Sequence, residues 1–397
     1  MKINTFLLSF PVNFKLSRFR IIYSHHVVVQ LSDGQYTGIG SGVLYRSTLW
    51  QLYQLWHTHA SAITNALSAG PPPDNTSNLL APIIVAEPGL AFALDTAVYD
   101  LKGKHEGQPV AELLGGFQRT AVPITEQIFI DDWAKSEQEL QQIIARGTTH
   151  LKIKTGFSPE KDLALIQKVR RTVGQNVDLR IDANRAYNLT ESLELYKQFE
   201  QLGVTTLEEP INNPDWASWR TLRHEVGLPI MLDESILSPA DLQAAIQAKV
   251  IDSLNIKLTR VGGITQALIY AQLCHDAGVA VSIGCNEDIG PGMAAILHFS
   301  AAQTRHNGTE GVGHLRLGTD IIDEEMAIRD GALSLSTRPG LGVTLKPNFS
   351  RKLPANVKVI DLNRISAAQM RLISSYRRNK QRAATAVYRL QRKLLPK

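Results

Sequence analysis

Short apolar runs and longer amphipathic stretches alternate from Val122 to Glu310 of this 397-residue chain. The short runs have the length of strands, and the longer stretches repeat apolar residues every three or four positions, as helices do. Regular alternation of this kind is typical of a parallel β/α barrel or a doubly wound sheet, and its persistence over many units favours the barrel. The predicted helices are Thr155–Thr172, Leu189–Leu202, Trp216–Val226, Pro239–Lys249 and Ile264–Ala277.

The first 120 residues have a different pattern. Residues 1–45 read as antiparallel strands, and Asp33-Gly34 is a hairpin signal between two of them. A helix is predicted over residues 48–68, and apolar residues three and four positions apart predict helical structure from Pro88 to Leu114. We therefore expect a small α+β domain at the N-terminus.

Five polar motifs follow successive strand-like runs at nearly one spacing, their key residues lying 28, 26, 25 and 24 positions apart. The carboxyl ends of parallel barrel strands meet at one rim, where such barrels carry their chemistry. The sequence therefore predicts one catalytic rim. Its motifs are Lys152-Ile153-Lys154, Asp182-Ala183-Asn184, Glu208-Glu209-Pro210, Asp233-Glu234-Ser235 and Asn255-Ile256-Lys257.

Three of these motifs place carboxylates at successive strand ends. Asp182, Glu208 and Asp233 would repel one another and raise one another's pKa if they converged alone. A divalent cation removes that penalty, and an oxygen ligand set without His or Cys suits Mg²⁺, or Mn²⁺, better than Zn²⁺. One such carboxylate alone would more often cap a helix or form a salt bridge, so the succession of three is what favours a metal site.

Two lysines flank the acids in the strand order. Lys154 ends the strand before them and Lys257 ends the strand after them, so a closed barrel would place the two on opposite sides of the metal. A nearby cation or second lysine lowers the pKa of a lysine from its free value of about 10.4. Lys152 points to the same face as Lys154 because it lies two residues earlier. Two opposed bases can remove a proton from one face of a carbon and return it from the other.

Together these motifs resemble the enolase superfamily, in its muconate lactonizing subgroup, over nearly the whole chain except the end. The resemblance implies an α/β fold: a TIM-like (β/α)7β barrel with an α+β capping domain formed by the N-terminal part and a C-terminal return. The corresponding parts are a capping domain over residues 1–120, a catalytic β/α barrel over 121–325, the return over 326–360 and a basic, helical tail over 361–397.

The resemblance also implies roles for single residues. Asp182, Glu208 and Asp233 would bind Mg²⁺, while Lys154 and Lys257 would exchange the α-proton of a carboxylate substrate through an enediolate intermediate, the pattern known for that superfamily. The other assigned residues are Lys152 for the substrate carboxylate, Glu287 and Glu310 for substrate binding, Asn184 in support of the ligands, and Glu209 and Glu234 as ion partners beside them.

The reaction within the subgroup stays open. Residues 284–287, Gly-Cys-Asn-Glu, before an Ala-rich helix resemble dipeptide epimerases, which usually carry Asp-x-Asp at the next strand end, where residues 310–312 read Glu-Gly-Val. The sequence Gly308-Thr309-Glu310 is instead similar to the cycloisomerases. We favour a racemase or epimerase of a dipeptide or N-acyl amino acid, with a muconate-type cycloisomerase or o-succinylbenzoate synthase as the alternative.

Substrate specificity is expected from the capping domain, in loops around residues 11–25 and 46–60. Gly40-Ser41 stands where the family often has Gly-Glu, and this departure bears on specificity or packing and not on the metal site.

The end of the chain is strongly basic. The net charge is +5, and ten basic residues but no acidic ones follow Asp361, so without those ten cations the rest would have a charge of −5. Such a tail is typical of nucleic-acid or acidic-lipid contacts. We favour instead a solvated helix, Ala367–Leu395, on the protein's own acidic surface. An inactive homologue that binds a partner through this tail is a third, less favoured function.

The composition, 44% hydrophobic and 20% charged, is ordinary for a globular protein. Two cysteines exclude a disulfide framework or cysteine metal cluster. Met1–Phe10 does not resemble a signal peptide, and no run approaches the roughly 18 apolar residues of a membrane helix. We expect a cytoplasmic homo-oligomer acting on a small carboxylate.

Overall fold

The computed structural model describes residues 1–15, 20–70, 75–128, 133–212 and 215–394. Residues 16–19, part of the predicted specificity loop around 11–25, lie outside the described residues, as does Leu395 at the end of the predicted tail helix. Within the described chain, no helix is both long and apolar enough to span a membrane.

The N-terminal part is an antiparallel sheet followed by helices. Its strands are β1 (Lys2–Lys15), β2 (Arg20–Ser32) and β3 (Thr37–Val43), and its helices are α1 (Leu49–Ser68), α2 (Ser77–Ala86), α3 (Pro88–Glu106) and α4 (Val110–Leu113). The helical segment predicted from Pro88 to Leu114 is therefore two helices. Gly107, at φ +67°, closes α3 in the left-handed conformation that favours glycine, and Pro109 precedes α4.

A ring of eight parallel strands forms the centre of the molecule, preceded by β4 (Ala121–Pro123). The strands are β5 (Thr125–Ile128), β6 (His150–Lys154), β7 (Asp178–Asp182), β8 (Val204–Glu208), β9 (Ile230–Leu232), β10 (Ser253–Lys257), β11 (Ala280–Gly284) and β12 (His306–Thr309). Each pairs in parallel with the next along the chain, and a parallel bridge between Ile124 and Thr309 closes the ring.

Helical connections join the eight strands and cover the outside of the ring. They are α5 (Trp133–Ala145), α6 (Pro159–Val173), α7 (Leu189–Gln201), α8 (Trp216–Glu225), α9 (Pro239–Gln247), α10 (Leu258–Val261) with α11 (Ile264–Asp276), and α12 (Gly290–Ala302). The predicted (β/α)7β barrel with an α+β cap is confirmed.

After the barrel, the chain returns to the N-terminal sheet through α13 (Gly313–Leu317), β13 (Ala332–Ser334), α14 (Phe349–Lys352) and β14 (Lys358–Asp361). Strand β13 pairs with β4, and β14 pairs antiparallel with β1, which gives the four-stranded order β14-β1-β2-β3. The last element is α15 (Ala367–Leu394).

Close backbone contact joins the N-terminal sheet to α3. A Cβ atom added at Gly40 of β3 would lie 1.9 Å from the carbonyl oxygen of Ala93. The neighbouring Ser41 connects the sheet to the barrel, since its Oγ donates to the Ile289 carbonyl at 2.7 Å and accepts from the Gly292 N–H at 2.9 Å. At this position the departure from the family's usual Gly-Glu serves packing between cap and barrel.

Helix α15 lies against the cap through aromatic rings. The guanidinium of Arg371 is 4.4 Å from the Trp50 ring, and that of Arg377 is 4.0 Å from the Tyr23 ring. Ser374 Oγ accepts the Trp50 N–H at 3.1 Å. These arginines therefore contact aromatic side chains of α1 and β2, where the sequence suggested an acidic surface.

The contact between β3 and α3 gives a first prediction. We expect Gly40→Ala to lower the free energy of unfolding by about 2–3 kcal/mol, because the new methyl group overpacks a backbone contact that side chains cannot relieve. Urea unfolding measures it. Gly70→Ala, where no atom lies within 4 Å of the added Cβ, is the matched control, and equal losses in both variants would contradict the close approach.

Buried histidines give a second prediction. Burial is the main cause that lowers the pKa of His25 and His298 to about 4 and of His26 and His306 to about 3. In the unfolded chain these histidines have a pKa of about 6.5, so as the pH falls they bind protons before the folded protein does. The free energy of unfolding is therefore at its full value above that pH and decreases as the pH drops from about 6.5 towards 4. In urea unfolding between pH 7 and 5, His298→Gln should lose less stability than wild type. The exposed His275→Gln control should follow wild type, and parallel curves for all three would refute the prediction.

Candidate active site

The predicted motifs lie on one rim of the barrel. Lys154 ends β6 beside Asp182, which ends β7, and Asp182 lies beside Glu208, which ends β8. Asp233 follows β9 directly, and Lys257 ends β10. Because β6 and β10 are four strands apart in a ring of eight, the two lysines stand on opposite sides with the acids on the arc between them.

Lys154 is held by two neighbours on its side of the rim. Its Nζ donates to Asp182 Oδ2 and, at 2.8 Å, to Asn184 Oδ1. Asn184 in turn donates to Glu234 Oε1 at 3.1 Å. Asn184 therefore links the Lys154 ammonium group to Glu234, and its role in support of the metal ligands stays a prediction.

Lys257 shares Asp233 with an arginine that the sequence reasoning missed. Lys257 Nζ lies 2.6 Å from Asp233 Oδ2, and Arg260 of α10 donates to Oδ1. Burial raises the pKa of Asp233, but Arg260 and Lys257 outweigh it and hold that pKa well below its usual range. Burial acts to lower the pKa of Arg260, but Asp233 outweighs it and raises that pKa.

A buried charge network fills the barrel beneath the rim. Lys152, 1% exposed, lies 2.5 Å from Glu310 Oε1, 3.3 Å from Glu208 Oε1 and 3.4 Å from Asp182 Oδ2. Arg180 donates to Glu310 Oε1 at 2.7 Å and lies 3.3 Å from Glu208 Oε2. Two of the predicted substrate ligands, Lys152 and Glu310, thus pair with each other.

Arg180 was missed although the sequence held a signal for it, and Asn255 was named only as part of the motif Asn255-Ile256-Lys257, without a role. Each lies two residues before a predicted site residue, Asp182 or Lys257, and therefore shares its face of the strand. Asn255 Nδ2 donates to Glu208 Oε1 at 2.9 Å and Arg180 Nη2 to Glu310 Oε1 at 2.7 Å, so both side chains reach carboxylates inside the barrel.

Glu287 is not brought into this network. Its carboxylate lies 2.5 Å from Arg316 Nη1, and Arg316 also donates to the Gln127 carbonyl at 2.7 Å. Glu287 therefore pairs with α13, beside the end of β5, and not with the lysines or Asp233.

Glu209 and Glu234 were predicted to form ion pairs. In their described contacts they accept hydrogen bonds from uncharged groups. Glu209 accepts the N–H groups of Asp233 and Ser235 at 2.6 and 2.8 Å and the Ser235 hydroxyl at 2.6 Å. Burial and then Glu234 raise the pKa of Glu209 to about 8. Glu209 therefore fixes the turn that presents Asp233.

The pKa of Lys152 and of Lys257 is raised, in contrast to the lowering expected from neighbouring cations. Burial acts to lower both pKa values, but the carboxylates outweigh it: Glu208 and then Glu310 for Lys152, and Asp233 and then Glu310 for Lys257. The pKa of Glu208 rises to about 7, through burial and then the charge of Asp182. Lysine–carboxylate pairing, and not lysine–lysine repulsion, dominates the rim.

The carboxylates suit a hard divalent cation by their chemistry. Asp182, Glu208 and Asp233 are fully buried oxygen donors on adjacent strands, and Glu208 Oε2 accepts no hydrogen bond. Among the described residues, however, no three His, Cys, Asp or Glu side chains converge on one point. Ammonium and guanidinium groups lie between the carboxylates instead.

A capped parallel barrel whose rim holds opposed lysines around buried acids defines an enzyme of acid–base chemistry. A family model described as Enolase C-terminal domain-like matches residues 135–349, more than half of the chain. The chain belongs to the enolase superfamily, in the muconate lactonizing subgroup.

Its relatives in this subgroup are racemases, epimerases and cycloisomerases, all isomerases. The N-succinyl-L-Arg/Lys racemase of Bacillus cereus is 26% identical over 82% of this chain and 89% of its own. Its crystal structure superposes with a TM-score of 0.78 at 25% identity, over 91% of this chain and 100% of that one.

Two further relatives show the range of reactions. A chloromuconate cycloisomerase of Pseudomonas sp. is 28% identical over 81% of this chain and 89% of its own. The hydrophobic dipeptide epimerase of Enterococcus faecalis is 32% identical over 54% of this chain and 61% of its own. The structure of that epimerase with Mg and the dipeptide L-Leu-L-Tyr has a TM-score of 0.78 at 24% identity, over 86% of this chain and 98% of that one.

The buried network predicts a large effect of one arginine. We expect Arg180→Met to lower the free energy of unfolding by about 3–5 kcal/mol, because it leaves Glu310 and Glu208 short of a cation in the barrel interior. Urea unfolding measures the loss. Adding Glu310→Gln to Arg180→Met should restore part of it, since the uncompensated charge disappears.

The control is Arg329→Met, which breaks an ion pair whose two side chains are 78% and 80% exposed. That substitution should cost less than about 1 kcal/mol. If Arg180→Met costs no more than Arg329→Met, the network does not carry buried charge.

Proposed function

We propose that this chain is a Mg²⁺-dependent racemase or epimerase that exchanges the α-proton of an N-acyl amino acid or dipeptide. The observation that carries the proposal is the placement of Lys154 and Lys257 on opposite sides of the rim, on β6 and β10. One ammonium group then serves each face of a carbon held between them, which is the arrangement that inversion of configuration needs.

The chain's own residues orient the two bases. Asn184, at 2.8 Å from Lys154 Nζ, and Asp233, at 2.6 Å from Lys257 Nζ, hold the two nitrogens on their opposite sides of the rim. In the proposed cycle one lysine, in its neutral form, accepts the α-proton at Nζ, and the opposite lysine donates a proton from its Nζ to the other face.

Asp182, Glu208 and Asp233 would hold the metal ion. Bound there, Mg²⁺ or Mn²⁺ would hold the substrate carboxylate and offset the negative charge that raises the pKa of Lys257. Lys152, which lies beneath the rim, remains proposed as a partner of the substrate carboxylate.

Within this proposal, Glu310 favours an N-acyl amino acid over a dipeptide. Lys152 and Arg180 already lie 2.5 and 2.7 Å from its Oε1. A carboxylate paired with two cations has little charge left to attract the free ammonium group of a dipeptide, whereas an N-acyl substrate brings no ammonium group. The racemase relative, which is named for N-succinyl substrates, supports this choice.

Proton exchange in D₂O tests the function. With Mg²⁺, wild type should replace the α-proton of N-succinyl or N-acetyl amino acids by deuterium, followed by ¹H NMR. Lys154→Ala and Lys257→Ala should each slow exchange by about 10²–10⁴-fold, because each removes the base on one face. The two variants should lose exchange on opposite enantiomers.

The matched control is Lys161→Ala, an exposed lysine of α6 that should leave exchange unchanged. Failure of wild type to exchange any N-acyl amino acid or dipeptide would falsify the racemase and epimerase proposal. Faster exchange of free dipeptides than of N-acyl amino acids would overturn the role given to Glu310.

A muconate-type cycloisomerase or an o-succinylbenzoate synthase is the second candidate. It is favoured by the same pairing of Glu310, which removes the substrate-ammonium site of a dipeptide epimerase, and by the cycloisomerase relative. Turnover of cis,cis-muconate, or of the o-succinylbenzoate precursor, by the wild-type chain would support it, and no turnover of either would count against it. A retired, partner-binding homologue fits poorly, because both lysines and all three acids lie on one rim.

A further inference from the structure

A groove lies where α15 crosses the outer face of the cap, on the side of the sheet that carries Tyr23 and His25. It encloses about 420 Å³, a size typical of small-molecule sites. One wall is apolar and is formed by Ile21, Tyr23 and Leu49. The proton-exchange site does not use this groove.

Another part of its lining is cationic. Arg377, Arg378 and Arg382 of α15 line it, and no acidic residue of the described chain does. Ser374 and Thr48 also line it, with hydroxyl groups that already accept the backbone N–H groups of Trp50 and Gln51. Arginine guanidinium groups form strong, geometrically specific hydrogen bonds to carboxylate and phosphate oxygens, so the chemistry of the wall selects an anion.

Arg377 shows an unmet hydrogen-bonding requirement in this groove. Its guanidinium lies 4.0 Å from the Tyr23 ring, and its Nη1 is buried without a hydrogen-bond partner. A buried donor without a partner costs free energy, and native proteins usually satisfy it. His25 beside it hydrogen-bonds Ser9 Oγ at 2.8 Å and does not neutralise the guanidinium.

The start of α1 also borders the groove, at Ser47, Thr48 and Leu49. A helix N-terminus carries a partial positive charge that favours anions. Here its donors are already used: the Trp50 N–H donates to Ser374 Oγ, the Gln51 N–H to Thr48 Oγ1 and the Ser47 N–H to the buried Glu87 carboxylate. The arginines therefore carry the attraction for an anion.

We propose that this groove binds a small organic anion, with its carboxylate or phosphate group on Arg377 and Arg382 and its apolar part against Ile21, Tyr23 and Leu49. The site uses cations of the basic tail that the proposed reaction leaves without a role. A concave site with one apolar wall suits a small molecule better than a polymer, which would need an extended basic surface.

Calorimetric titration of the full chain with phenyl phosphate tests the proposal, with phenol as the uncharged probe of the same ring. We expect saturable binding of about one phenyl phosphate per chain and none of phenol. Arg377→Gln and Arg382→Gln should each weaken binding by about tenfold or more, because each removes a charge-assisted hydrogen bond. Lys380→Gln removes one cation from the same helix outside the groove and should change binding less than about twofold.

Melting temperatures without ligand show whether each variant keeps α15 in place. If Arg377→Gln loosens the contact with Tyr23, the Arg382→Gln variant still tests the proposal, because Arg382 lies on the exposed side of the groove. Absence of saturable phenyl phosphate binding to wild type overturns the proposal, and so does binding that the two arginine variants leave unchanged. Heparin binding tighter than phenyl phosphate, and equally reduced by Lys380→Gln, would instead indicate a general basic surface and overturn it too.

Discussion

The structure depends on compensating the negative charge that the barrel buries at its catalytic mouth. Asp182, Glu208 and Asp233 are all fully buried, and carboxylates out of water are costly unless cations and hydrogen bonds reach them. The strand register solves this problem, because it places Lys154 beside Asp182 and directs Lys152 into the interior. A shift of one residue in any of these strands would turn its charges to the outside of the barrel.

The same requirement, that buried polar groups have hydrogen-bond partners, also determines how the cap is attached to the barrel. Asp100 of α3 is fully buried and accepts the N–H groups of Ile39 in β3 and Leu341 in the C-terminal return, at 2.8 and 2.7 Å. One carboxylate thereby joins three distant parts of the chain. Ser41 then fixes this unit on the start of α12, so the cap is positioned by a few hydrogen bonds over a close-packed backbone contact.

The sequence was sufficient for the barrel, because strand ends at a regular step can meet only at one rim. It was also sufficient in principle for Arg180, since a period of two puts it on the face of Asp182. It was not sufficient for Arg260 or Glu287: the first reaches Asp233 from a short helix, and the second is drawn to Arg316 by tertiary packing. The sign of the lysine pKa shift also depends on distances, which decide whether carboxylates or cations act more strongly.

Charge balance connects the proposed metal site to the choice of substrate. The four acids around the interior, counting Glu310, face five cations: Lys152, Lys154, Arg180, Lys257 and Arg260. This set carries a formal charge of +1, and a divalent cation among the carboxylates would raise it to +3. An anionic substrate lowers that excess, so binding of the cation and of a carboxylate should each strengthen the other. A zwitterionic dipeptide brings a carboxylate together with a cation and offsets less of the charge, which is a second physical reason to expect an N-acyl amino acid.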